Sequence, residues 1–141
     1  MTALDRFVEA QDHAYCNALA EIRRGAKRSH WMWYIFPQFA GLGQSPTARF
    51  FAIRSFDEAR SYLEHPVLGP RYLECVQAVQ NLATSDPVAV FGAVDAAKLR
   101  SSLTLFEAAQ PHTLLASAIE RWFDGERDKL TISLLQKRDT D

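Results

Sequence analysis

The chain has 141 residues, 48% of them hydrophobic and 23% charged, with a formal net charge of −1. That length suits one domain around a single core, and the mixture is that of an ordinary globular protein. A charge so near zero provides no overall basic field for a nucleic-acid polymer, and no apolar run approaches the roughly 20 residues of a membrane span.

The N-terminal residues Met1 to Phe7 lack the apolar run of a signal peptide. Cys16 and Cys75 are the only cysteines, a count that favours free thiols in a reducing cytoplasm over a disulfide.

The first predicted helix is the clearest. Leu4, Phe7, Val8, Tyr15, Ala18, Leu19 and Ile22 fall on one face, with Gly25 as the stop. Gln11 interrupts that stripe near its centre. A neutral amide placed there needs hydrogen-bond partners, from a loop backbone or from a ligand. The segment Ser29 to Phe36 is too continuously apolar to assign by period. It is either a buried strand or a short buried helix, ended by Pro37. If it is extended, Trp31 and Trp33 share a face.

Ser45-Pro46 reads as a helix start, and Ser55-Phe56-Asp57-Glu58 as a capping box opening a helix to about Glu64. Helical spacing returns between Val67 or Pro70 and Ala83. Asp86-Pro87 opens a short piece, Val88 to Phe91, ended by Gly92. Asp95 is predicted to cap a helix carrying Leu99, Leu103 and Phe106. Pro111 separates it from a helix over 114–123 that stops at Gly125, and Asp128 caps a last one through Leu135. The predicted fold is mainly α, a compact single-domain bundle of six or seven short helices with little or no sheet. It spans 1–141, with 1–3 and 137–141 frayed.

Two constellations carry chemistry. The first is the run Lys27 to Gly43, in which Lys27, Arg28, Ser29 and His30 precede a crowd of rings that includes Trp31 and Trp33, with Gln38 just beyond. Rings beside cations and hydrogen-bonding groups suit a pocket for a flat, polar ligand, and equally a dense core with a polar rim. The second is Asp95, Lys98, Ser101 and Ser102, neighbours at three- and four-residue spacing on a helix. His13, His30, His65 and His112 show no ligand spacing on one element, and neither HExxH nor CxxC occurs, so no metal and no cofactor are expected. Both cysteines read as packing residues.

The stretch SHWMWYIFPQ followed by GLG resembles the signature of the domain of unknown function 1810 family. Ala10-Gln11, the run His65 to Arg71, and Phe91-Gly92 followed by Asp95, Lys98 and Ser101 to Phe106 match the same pattern, from about Leu4 to Leu135. At Gln110-Pro111-His112 the chain departs from the Pro-Asp-Asn-like stretch usual there. The resemblance implies a mainly helical domain and no established activity. The order of the His65–Arg71 loop, a Lys-bearing helix and a late Asp128–Thr131 pair is also similar to a small helical family proposed to act on ADP-ribose-linked and riboflavin-precursor N-glycosides. Such chemistry needs a carboxylate to stabilise an oxocarbenium ion, for which Asp95, Asp128 and Glu74 are the candidates, with His30 as a candidate general acid.

The leading expectation is therefore binding, with hydrolysis as its extension, of a small phosphorylated or nucleotide-like ligand. An ADP-ribose-type N-glycoside is the sharpest form. The predicted ligand contacts are Gln11, Lys27, Ser29, His30, Trp31, Trp33, Gln38, Arg71, Lys98, Ser101 and Ser102. The alternative is a non-enzymatic protein-interaction module whose aromatic segment is simply core.

Overall fold

A computed structural model describes residues 3–140, and side chains through 137. Among the described residues there are nine helices: α1 (Asp5–Arg24), α2 (Met32–Ile35), α3 (Pro46–Phe50), α4 (Phe56–Glu64), α5 (Leu68–Gln80), α6 (Pro87–Phe91), α7 (Ala93–Ala109), α8 (Thr113–Phe123) and α9 (Lys129–Thr140). The fold is mainly α. The count exceeds the six or seven predicted because single turns such as α2, too short to show a period, are helical. The helices are also not uniformly short, since α1 runs for 20 residues and α7 for 17. The only pairing of extended backbone among the described residues is an isolated parallel bridge between Phe39 and Ile53.

Most helix boundaries follow local chemistry. Ser45 and Ser55 each accept a backbone N–H three residues on, from Ala48 (3.1 Å) and Glu58 (2.9 Å). The box at Ser55 is half closed, because the Glu58 carboxylate turns to the Arg54 N–H and the Arg6 guanidinium instead. Asp86 caps α6, and Asp128 caps α9 by accepting the Thr131 N–H at 3.0 Å. Gly25 ends α1 in the left-handed region at φ 72°. α9 is described through Thr140; of the ends predicted to fray, Met1, Thr2 and Asp141 lie outside the described residues.

α7 is the central element, packed against α4, α6, α8 and α9, while α5 lies between α1, α4 and α8. Leu99, Leu103, Leu105 and Phe106 from α7 meet Leu115 and Ile119 of α8, Tyr72 and Val76 of α5, and Phe7 and Ile22 of α1 in one hydrophobic cluster. α4 comes so close to α5 that a Cβ at Gly69 would collide with the Leu63 carbonyl oxygen. His65 assists the same junction, its Nδ1 accepting the N–H groups of Val67 (3.0 Å) and Leu68 (3.3 Å). No helix of the described residues is long and apolar enough to cross a membrane.

Candidate functional site

The loop from Lys27 to Trp31 is folded around one carboxylate. Glu21, in the last turns of α1, is only 2% exposed. It accepts the backbone N–H groups of Arg28 (2.7 Å) and Ser29 (2.9 Å), the Ser29 hydroxyl (2.6 Å), the Trp31 indole N–H (3.0 Å) and the Asn17 amide (2.9 Å). Burial by itself would raise its pKa. The donors, led by Ser29 and the two backbone groups, outweigh that and hold the carboxyl at about 2. An anion buried this way is stable only because its oxygens are saturated with donors.

With the loop pinned, the Lys27 ammonium lies 2.8 Å from Asp95 Oδ2, and its side chain is 7% exposed. It also donates to the Ser29 carbonyl at 2.6 Å and stands 4.9 Å from the Trp31 ring centroid. The Lys27 backbone N–H donates to the Val90 carbonyl (2.9 Å), tying the loop to α6. Asp95 does not cap α7 as predicted. Gly92, at φ 82°, turns the chain so that the helix begins at Ala93, which leaves Asp95 inside the first turn. From there its other oxygen, Oδ1, meets the Lys98 ammonium at 3.6 Å. Lys98 in turn stands 5.0 Å over the Trp33 ring.

The His30 ring lies nearly parallel to Trp33, centroids 6.4 Å apart. Gln38 donates to the Ser101 hydroxyl (2.6 Å), and that hydroxyl donates to the Lys98 carbonyl (3.1 Å). Lys27, Ser29, His30, Trp31, Trp33, Gln38, Asp95, Lys98 and Ser101 are thus brought into one corner between the α1–α2 loop and α7. The two tryptophans part company there, because the segment is a helical turn and not extended. Trp31 is buried and Trp33 only half-buried. Two ammonium groups share the Asp95 carboxylate, Lys27 closely and Lys98 loosely, beside the half-buried Trp33 indole and the exposed His30.

Five sequence candidates lie elsewhere. Gln11 is buried in the core, donating to the Tyr34 carbonyl (2.7 Å) and the Tyr62 hydroxyl (3.0 Å) while its oxygen faces Arg71 at 3.5 Å. Ser102 is fully buried and bonds the Tyr72 hydroxyl at 2.9 Å. Arg71 pairs with Asp12 at 3.4 Å and stacks over Tyr15. Asp128 accepts both the N–H and the hydroxyl of Thr131, and its own N–H donates to Thr104. Glu74, the remaining carboxylate, accepts from Tyr15. Cys75 is buried, which pushes its thiol up to about 12 and keeps it a packing residue at neutral pH.

A family model described as a protein of unknown function (DUF1810) matches residues 1–135. The chain belongs to this family. The DUF1810 chain is also similar to a solved structure, that of the conserved hypothetical protein Rv1873 from Mycobacterium tuberculosis. The two are 41% identical with a TM-score of 0.92, over 94% of this chain and 96% of that one. The comparison with curated proteins gives no match.

Several stretches of the DUF1810 pattern acquire physical reasons. His65 and Gly69 serve the α4–α5 junction. His112, where the chain departs from the usual residues, accepts the Leu114 N–H at 3.1 Å and so still caps α8. Glu21 was missed in the sequence reading. Its signal was a carboxylate between Leu19 and Ile22 at the edge of the apolar stripe, a place where a charge requires buried partners.

Proposed function

We propose that the corner formed by Lys27, His30, Trp33, Asp95 and Lys98 binds a small phosphorylated ligand bearing a flat ring. The ring stacks on Trp33 and His30, and the phosphate meets Lys98. The observation that carries this reading is the sharing of Asp95 by two lysines. Lys27 is locked by three partners, whereas Lys98 keeps a looser 3.6 Å contact and a side chain 23% exposed. A phosphate replaces a weak, part-solvated ion pair with charge-assisted hydrogen bonds.

Turnover, in this reading, is hydrolysis of an ADP-ribose-type N-glycoside. The C–N bond breaks with its electron pair leaving on nitrogen, which takes up a proton with His30 as the candidate acid, while water adds to the anomeric carbon and gives up a proton to solvent. Asp95 is the carboxylate at hand to stabilise the oxocarbenium ion. Its preference over Asp128 and Glu74 rests on location, since those two lie away from the corner, at the start of α9 and beside Tyr15. Calorimetric titration with ADP-ribose and mononucleotides tests binding, and chromatography of an incubated N-glycoside tests turnover. No heat at millimolar ligand would return the corner to a structural role and favour the interaction-module reading, in which the aromatic segment belongs to the core, a reading that the burial of Trp31 supports.

A further inference from the structure

α7 presents Asp95, Lys98 and Ser101 at three-residue intervals, with about 9 Å along the axis between the first and the last. The two outer residues are each tied to the segment that carries Trp33. Asp95 holds Lys27 at 2.8 Å, and the Ser101 hydroxyl accepts from the Gln38 amide at 2.6 Å. Lys98 lies midway between these ties, 5.0 Å over the Trp33 ring.

The second tie has a fixed direction. Gln38 stands next to Phe39, which is buried. The Gln38 carbonyl accepts the Ile53 N–H at 2.9 Å, and the Ala40 N–H donates to the Ile53 carbonyl at 2.8 Å. Backbone pairing on both sides of Phe39 thus sets where the Gln38 side chain reaches. Its amide is the donor, so the Ser101 hydroxyl is left to donate in turn, and it does so to the Lys98 carbonyl at 3.1 Å. Ser101 is only 2% exposed, which seals it off from a ligand. Apolar packing between α7 and the aromatic segment is non-directional, whereas a chain of hydrogen bonds fixes their register. A molecule that stacks on Trp33 and meets Lys98 with its phosphate needs that register held to about 0.5 Å.

We propose that Gln38 and Ser101 are positioning residues, which hold Lys98 over Trp33 and do not themselves touch the ligand. The proposal rests on the reading of this corner as a site for a phosphate and a flat ring.

The test combines two measurements on the full chain. NMR without ligand reads the Lys98 side-chain methylene signals, which the Trp33 ring current displaces upfield; Trp33→Leu gives their position when that ring is absent. Gln38→Ala and Ser101→Ala should each move the signals toward that position. Calorimetric titration with ADP-ribose should find each variant about tenfold weaker than the wild type. The double variant should bind no more weakly than either single one, because both side chains act through one chain of hydrogen bonds. Unchanged Lys98 signals or unchanged affinity in the single variants overturns the proposal, even with a lowered melting temperature, since the tie would then serve the fold alone. A further loss of about tenfold on adding Gln38→Ala to Ser101→Ala also overturns it, because Gln38 would then meet the ligand directly. Failure of the proposal alone leaves wild-type binding intact, whereas absence of heat from the wild type at millimolar ADP-ribose overturns the reading of the corner and the proposal with it.

Discussion

Two polar groups sit among aromatic rings in this fold, and their surroundings differ. Around Gln11 and Ser102 everything is sealed. Tyr62 and Tyr72 lie edge to face with centroids 6.1 Å apart, Phe106 closes on both, and each polar atom has a protein partner. Burial raises the pKa of both tyrosines, so they remain neutral hydroxyls. Around Lys98 the accounting does not close in the same way. One carboxylate serves two ammonium groups, and the ring beneath Lys98 is half open to water. A polar network that is closed specifies a core, whereas the Lys98 ammonium, part-exposed and 3.6 Å from Asp95, is held only loosely.

The comparison breaks most severely at Glu21, which supports the open corner from below. Glu21→Ala leaves several buried donors without an acceptor and should lower stability by about 3–5 kcal/mol, read by denaturant melts. The pH dependence has a definite sign. The folded pKa of about 2 lies below the ordinary 4.5, so Glu21 contributes stability that is complete above about pH 4.5 and is lost as the pH falls toward 2. Glu21→Gln should flatten that part of the acid-unfolding curve.

Next in size is the sealed region. Gln11→Leu strands the Tyr34 carbonyl and the Tyr62 hydroxyl and should cost about 2–3 kcal/mol in thermal or denaturant melts. Lys98→Ala should do the opposite. The loss of stability should stay below about 1 kcal/mol, because a part-exposed ion pair contributes little, while affinity for a phosphorylated ligand falls roughly ten- to a hundredfold. Smallest is Ser102→Ala, which removes one buried partner from the Tyr72 hydroxyl. It should cost about 1 kcal/mol and leave ligand affinity unchanged.

The helices were legible wherever a cap, a proline or a glycine wrote the boundary locally, as at Ser45, Asp86, Asp128 and Gly25. Asp95 misled because an acidic residue near a helix start resembles a cap, and only the backbone turn at Gly92 moves the start to Ala93. The candidate site was legible in part. The Lys27–Trp33 run and the Asp95–Lys98 pair do meet, but periodicity holds no information on which elements touch. Gln11 and Ser102 look like site residues for the same reason that they make good core residues, since both are polar groups on an apolar face. Glu21 could not be paired in advance, because its donors come from an irregular loop.

The most direct measurement is calorimetric titration of ADP-ribose into the wild-type chain, Lys98→Ala and Ser102→Ala, with a melt of each. The open-corner account predicts binding by the wild type, equal affinity in Ser102→Ala despite its lower melting temperature, and a roughly ten- to a hundredfold weaker Lys98→Ala with a nearly unchanged melt. Equal affinity in Lys98→Ala and wild type, or absence of heat from the wild type at millimolar ligand, would contradict it.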